Sequence, residues 1–500
     1  MLNLICKDVS VANNDKESNI IIVPENVGEF TPQWFELALK KNRFIGDNVS
    51  IVSAHIERLS DDTDDALDGG GLSDAQIMRV ELEYGGETTG NEPCTVIAKW
   101  FHDLALTVSL KWRLLFRLMG EEYGGGLEEN FYRRDIKFCR EVLPSIKDTF
   151  RHPNVYYTGI IDLGNRSFWN GTIMNKPSNV KTVALMKDMI GWEPTSVEKN
   201  FLTGGLDKTN TEASLRNIAV LHGAFWEDKP EKISHSFSQL SSAEKENRGA
   251  SHSNKVAKSR NKVLSNSTSF RRAIEKFKDG WYGHEWATVD KKVFMPSWYT
   301  ADSLENGSWP VLEDPLVLEM LDVFAERYPS FNKSVVSQYL KKPAQTILHG
   351  DFHMGNHMYG VGDDRGKVVC FDFQAAGMGM VAVEIGYYFN CMPVISNLIP
   401  FAKVYHDALV LNGVHDYPWE EFKKDLLIQM TEFALNIIME CGEMSPEKMK
   451  EMLMMFGNKA LGLIKIADMG GFLWPLIILT ELYSKNKEYF LNEISFANID

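Results

Sequence analysis

The sequence predicts an α+β protein built of more than one lobe, and three observations predict it. Runs with strand length and strand alternation, at 77–84, 95–100 and 181–189, fall in the first two hundred residues. From Tyr405 onward apolar residues recur at helical spacing, as at 430–438 and 449–455. The chain has 500 residues, 44% of them hydrophobic, which is more than a single core usually holds. Between the two regions, 234–269 is rich in Ser, Lys, Asn and Glu and reads as a mobile insertion. Residues 1–28 are expected to be loosely held.

The chemistry-bearing stretch is His349-Gly350-Asp351, then Asn356, then Phe371-Asp372-Phe373-Gln374. The residues before Asp351, 345–348, read as a strand edge. The apolar run 367–371 reads as a buried strand that delivers Asp372 at its end, and 360–366 reads as the turn between them. An acid, an amide five residues on and a second acid after a short strand suit magnesium-dependent phosphoryl transfer. That chemistry is mostly positioning and charge neutralisation. Magnesium takes oxygen ligands and keeps several waters, so one carboxylate and one amide oxygen suffice beside phosphates. Asp351 is then the candidate base for an acceptor hydroxyl, and Asn356 and Asp372 are the candidate metal ligands. The plainer alternative is a pair of acids ending strands, with His349 a hydrogen-bonded core residue; a core role is expected for His349 in either case.

These motifs resemble those of the kinase-like small-molecule phosphotransferases, a group including aminoglycoside phosphotransferases and choline kinases. The resemblance is strongest to the ecdysteroid-kinase-like branch, which reads HGD, then N, then DFQ. It runs from about residue 31 to about residue 489. It implies a two-lobed protein-kinase-like fold, with a small antiparallel-sheet N-lobe over 29–188 and a larger, mainly helical C-lobe over 189–500. It also implies ATP and Mg2+ as cosubstrates and a small-molecule alcohol as acceptor, the branch favouring a sterol-like or other lipophilic alcohol. A choline- or ethanolamine-type kinase, and a nucleotide-binding protein without catalysis, are the competing readings.

The resemblance extends upstream. The run 95–100 resembles the strand whose lysine contacts nucleotide phosphates, which makes Lys99 that lysine. Gly69-Gly70-Gly71, before the strand at 77–84, resembles the loop that covers those phosphates. Consecutive glycines admit close backbone approach, although an ordinary hairpin turn has the same composition. The helix expected at 131–144 carries Asp135 where the family usually has a glutamate to pair with the lysine. Glu141 is the rival, and Glu128 and Glu129 are remoter ones. Asp188 and Met189 end the strand at 181–189 and resemble the hinge where backbone groups read adenine. His222 is expected to be packed, and Glu384 to support the catalytic loop.

Composition restricts the alternatives. A net charge of −15 argues against broad binding to nucleic acid or anionic membranes. Six cysteines without metal-type spacing read as reduced, buried thiols of a cytoplasmic protein. The apolar run 470–479, with Trp474, is too short to span a bilayer. Gln374, in place of a glycine, and the lack of an Ala-Pro-Glu segment argue against an activation-loop switch. Trp474, Tyr387 and Glu432 are named only as residues that could line an acceptor pocket.

Overall fold

The computed structural model describes residues 21–59, 75–101, 133–162, 180–194, 207–226, 315–316, 319–320, 322–324, 346–390, 398–443, 480 and 482–488. The glycines at 69–71, the segment 234–269 and the runs at 449–455 and 470–479 lie outside them, as do Glu128 and Glu129. The side chain of Glu432 is likewise outside the description.

The smaller lobe is built on an antiparallel sheet. Strands β1 (Val49–Arg58), β2 (Gln76–Gly86), β3 (Thr95–Phe101), β4 (Val155–Asp162) and β5 (Val180–Lys187) form five strands in the order β1-β2-β3-β5-β4. Side chains alternate across β3. Val96, Ala98 and Trp100 enter the apolar core of this lobe, so Lys99 lies on the opposite face. Helix α1 (Pro32–Lys41) covers the core face with Trp34, Phe35, Ala38 and Leu39. Its start is set by Pro32 and by the Thr31 side chain, which accepts from the Trp34 N–H.

The leading segment corrects an expectation. Residues 21–28 are tied down, because two buried indoles need acceptors and find them there. Trp34 Nε1 donates to the Ile22 carbonyl at 2.8 Å, and Trp100 Nε1 donates to the Pro24 carbonyl at 3.0 Å. Val23 is buried, and Glu25 pairs with Lys181 on β5. Residues 1–20 lie outside the description.

A helical stretch at 133–146, α2, contains a π-helical turn at Phe138–Val142 and ends in Leu143–Ile146. It falls within the segment expected to form the N-lobe. Yet Phe138, Cys139, Val142, Leu143 and Ile146 are buried in the core of the larger lobe. Their spacing makes one apolar stripe on the helix, and that stripe packs in the core that holds Phe373.

The larger lobe contains a short strand β6 (Glu193–Pro194), helix α3 (Lys208–Ala224), strands β7 (Thr346–Leu348), β8 (His357–Tyr359), β9 (Val368–Cys370) and β10 (Gly377–Gly379), and helices α4 (Val381–Asn390), α5 (Leu398–Leu411) and α6 (Trp419–Glu443). Strand β8 pairs with both β6 and β9, while β7 pairs with β10. Helix α3 starts at Asp207, whose carboxylate accepts from the Asn210 N–H. The antiparallel five-stranded sheet and the mostly helical second core are the α+β, two-lobed arrangement expected from the sequence.

The cysteines differ in part from expectation. Cys139 and Cys370 are buried free thiols, but Cys94 is exposed. It precedes β3 at the sheet's end, where the chain turns in solvent. No helix among the described residues is long and apolar enough to cross a membrane.

Candidate active site

The loop after β7 is held by what lies beneath it. Phe352 and Met354 are fully buried anchors in the large core. Glu384, in the first turn of α4, accepts from the His349 N–H at 3.1 Å and the Gly350 N–H at 2.6 Å. The same carboxylate meets His222 Nε2 at 2.8 Å, and the other ring nitrogen of His222 meets the Tyr405 hydroxyl. His222 is therefore packed, and Glu384 supports the loop. His349 is buried, with its Nε2 donating to the Phe371 carbonyl, so it ties the loop to the far strand.

Gly350 explains its own place in the motif. Its φ is +84°, and a Cβ there would sit 2.0 Å from the Ala375 carbonyl oxygen. No other residue fits without moving the segment after Asp372. Asp351 follows. Asn356 Nδ2 donates to the Asp351 carbonyl at 2.9 Å and to Asp351 Oδ2 at 3.2 Å. The Tyr387 hydroxyl, from α4, donates to Asp351 Oδ1 at 3.1 Å. His353 Nε2 stands 3.6 Å from the same oxygen, while its Nδ1 accepts from the Gly355 N–H and starts the turn to Asn356. Burial alone would push the Asp351 carboxyl up. The His353 ring, then the charge of His349 and the Tyr387 hydroxyl, outweigh it and bring the pKa to about 2.

Asp372 leaves β9 in the left-handed region, with φ 67° and ψ 67°, unusual for a residue with a Cβ. Lys99 reaches it from the smaller lobe, with Nζ 2.5 Å from Asp372 Oδ1. Lys99 also holds Asp135 Oδ2 at 2.8 Å. The partner of Lys99 is thus Asp135, and the rival Glu141 is not the residue paired with it. Burial favours the neutral amine, but the charges of Asp135 and Asp372 win and hold Lys99 protonated well above its usual range. At the end of β5, Asp188 is buried and its Oδ2 accepts from Arg79 Nε at 2.8 Å. That bond ties the end of β5 to β2. The Met189 carbonyl accepts from the Trp192 N–H, closing the turn that follows.

The structure therefore brings Lys99, Asp135 and Asp372 into one buried cluster, and Asp351 and Asn356 into direct contact. Tyr387 appeared in the sequence only as a residue that could line a pocket, and His353 was not singled out. Both act on Asp351 across a fold-dependent gap. Only the position of His353, within the motif loop and two residues after Asp351, could have hinted at its part.

The donor set suits a hard cation. Lys99 carries one positive charge against the two carboxylates of Asp135 and Asp372. A polyphosphate entering there needs a counter-cation. With Asn356 Nδ2 committed to Asp351, its Oδ1 is the oxygen left for a metal. Among the described residues no group of three or more His, Cys, Asp or Glu side chains converges as in a resident metal site. One carboxylate and one amide match a metal that arrives with phosphates.

Comparison with known proteins falls on the same residues. Residues 286–407 match the family described as the phosphotransferase enzyme family. No curated relative matches the sequence at a significant level. Among solved structures, an aminoglycoside phosphotransferase from Alicyclobacillus acidocaldarius aligns at 10% identity over 86% of this chain and 92% of its own, with a TM-score of 0.36. A choline kinase from Cryptosporidium parvum aligns at 11% identity over 93% of this chain and 95% of its own, with a TM-score of 0.34. An ethanolamine kinase from Plasmodium vivax aligns at 11% identity over 82% and 83%, with a TM-score of 0.31. The family-matched segment, 286–407, spans Asp351, Asn356 and Asp372.

Proposed function

We propose that the protein transfers the γ-phosphate of ATP to a hydroxyl group of a small molecule, and that the acceptor is a sterol-like or other lipophilic alcohol. The observation that carries the transfer is the Lys99–Asp372 ion pair at 2.5 Å, which joins the two lobes beside Asp351 and Asn356. Support for the acceptor class is the resemblance borne by HGD, Asn356 and Asp-Phe-Gln. Buried free thiols at Cys139 and Cys370 support a reducing, cytoplasmic setting.

In this reading ATP lies between the lobes, with Lys99 on its phosphates and Asp135 as the counter-ion that keeps Lys99 in place. The backbone at Asp188 and Met189 holds the adenine, and Gly69, Gly70 and Gly71 cover the phosphates. Asn356 Oδ1 and Asp372 would hold Mg2+, which when bound neutralises charge on the phosphate oxygens. Asp351 accepts a hydrogen bond from the acceptor hydroxyl and aims its oxygen at the γ-phosphorus. A carboxylate with a pKa of about 2 is far too weak a base to ionise an alcohol beforehand. It therefore orients the hydroxyl first and takes the proton as the new P–O bond forms.

The test is a panel of alcohols (sterols, other lipophilic alcohols, choline and ethanolamine) incubated with ATP and Mg2+ and read for a mass gain of one phosphate. Asp351→Asn should lower transfer by roughly 10²–10⁴-fold while leaving ATP binding intact. Turnover retained by that variant would remove Asp351 from the role of base. Magnesium-dependent ATP binding with no transfer to any acceptor would favour a nucleotide-binding protein without catalysis.

A further inference from the structure

We infer that Asp135 is a positioning residue for Asp372, acting through the backbone of Phe373, and so sets how tightly the site holds its metal. This rests on the nucleotide and metal reading proposed above.

The two oxygens of Asp135 have different partners. Oδ2 meets Lys99 Nζ at 2.8 Å, while Oδ1 accepts from the Phe373 N–H at 3.1 Å. Phe373 directly follows Asp372, so the bond fixes the peptide unit on which Asp372 turns. That turn is left-handed, with φ 67°. Such a conformation in a residue with a side chain persists only where the surroundings hold it. The same helix holds it twice. One turn after Asp135, the Phe138 ring stacks on the Phe373 ring at 4.2 Å with an interplanar angle of 11°. Lys99, steadied by Asp135, then takes Asp372 Oδ1. Backbone, ring and ammonium group thus fix residues 372 and 373 from one side, and Asp135 takes part in two of the three contacts. If it served only as counter-ion to Lys99, the bond to Phe373 would be incidental.

Chain length separates the two roles. In Asp135→Glu the charge remains and the longer arm still reaches Lys99, but the added methylene displaces the carboxylate from the Phe373 N–H. The probe is a fluorescent N-methylanthraniloyl ATP, titrated onto the full-length protein first with EDTA and then across a range of Mg2+. The Mg2+ titration of Asp135→Glu is referred to that variant's own metal-free affinity, so that any change in the Lys99 pairing is divided out. The Mg2+ concentration that half-maximally tightens binding should rise roughly tenfold, as for loss of a group that orients a metal ligand. An unchanged Mg2+ midpoint in the folded variant would overturn the inference and leave the proposed function standing. Wild-type protein whose nucleotide binding ignores Mg2+ would overturn both. Hydrogen exchange in wild type gives a check that needs no variant. The Phe373 amide should exchange slowly without metal, and exchange as fast as in an open loop would overturn the inference.

Discussion

A carboxylate that receives a proton from an alcohol must be ionised beforehand and must point the right way. Three side chains orient Asp351, the proposed base: Asn356 on one oxygen, Tyr387 and His353 on the other. Burial pushes its carboxyl up, but His353, His349 and Tyr387 outweigh it and hold the pKa at about 2, below the ordinary 3.8. A group whose folded-state pKa is depressed adds stability above its unfolded pKa, and that stability drains away as pH falls toward the folded value. Asp351 should therefore stay ionised through the weakly acidic range. Between about pH 6 and pH 4, kcat/KM should show no titration belonging to Asp351. Any loss of activity there should follow the near-ultraviolet circular dichroism as the fold gives way. An acid limb near pH 5 in protein with an intact spectrum would contradict this. At this scale the motif residues were legible because the chemistry needs those groups at short spacing. Tyr387 was not legible as a partner of Asp351, because it lies 36 positions downstream and only the packing of α4 brings its hydroxyl across.

At the scale of elements, α4 organises the catalytic loop. Its first-turn Glu384 accepts two consecutive backbone N–H groups and one imidazole, and Glu384, His349 and His222 are themselves buried. An acid in a helix's first turn also sits favourably against the helix dipole. Removing it takes one acceptor from all three donors. Glu384→Ala should cost on the order of 2–4 kcal/mol, measured by chemical denaturation, and should lower kcat with it because Gly350 loses its anchor. A variant as stable as wild type would mean that the loop finds other acceptors. Helix α2 teaches a related lesson. The helix was expected from the family resemblance, and periodicity does not say which of two cores its apolar stripe will join. Phe138 through Ile146 joined the larger one, facing Phe373, so the element that carries Asp135 is seated on the lobe that carries Asp372.

Across the whole molecule, the two cores meet at a polar seam. The side chains of Lys99, Asp135 and Asp372 are only 9%, 8% and 15% exposed, so any one left without its partner would carry a poorly solvated charge. The apolar counterpart of this seam is the stack of Phe138 on Phe373. Phe138→Ala should cost about 3–5 kcal/mol as a core cavity, read as a fall in Tm. It should also weaken Mg2+-dependent nucleotide binding, since Phe373 loses its support. Leu411, 81% exposed at the end of α5, serves as a control, and Leu411→Ser should leave stability within about 0.5 kcal/mol. A Phe138→Ala protein that keeps both Tm and metal-dependent binding would separate the ring stack from the site.

The chain alone shows the loop with Asp351 and Asn356 and the strand that delivers Asp372, because a fixed spacing and a short apolar run survive without neighbours. The strand lysine and the helix with an acid came with the family resemblance. Three-dimensional packing chose the carboxylate that Lys99 grips, the second hold of Asp135 on the Phe373 backbone, the contact of Tyr387 with Asp351 and the anchoring of residues 21–28 by two indoles. Those outcomes depend on directed contacts between groups far apart in the chain, and no local pattern encodes the distance between them.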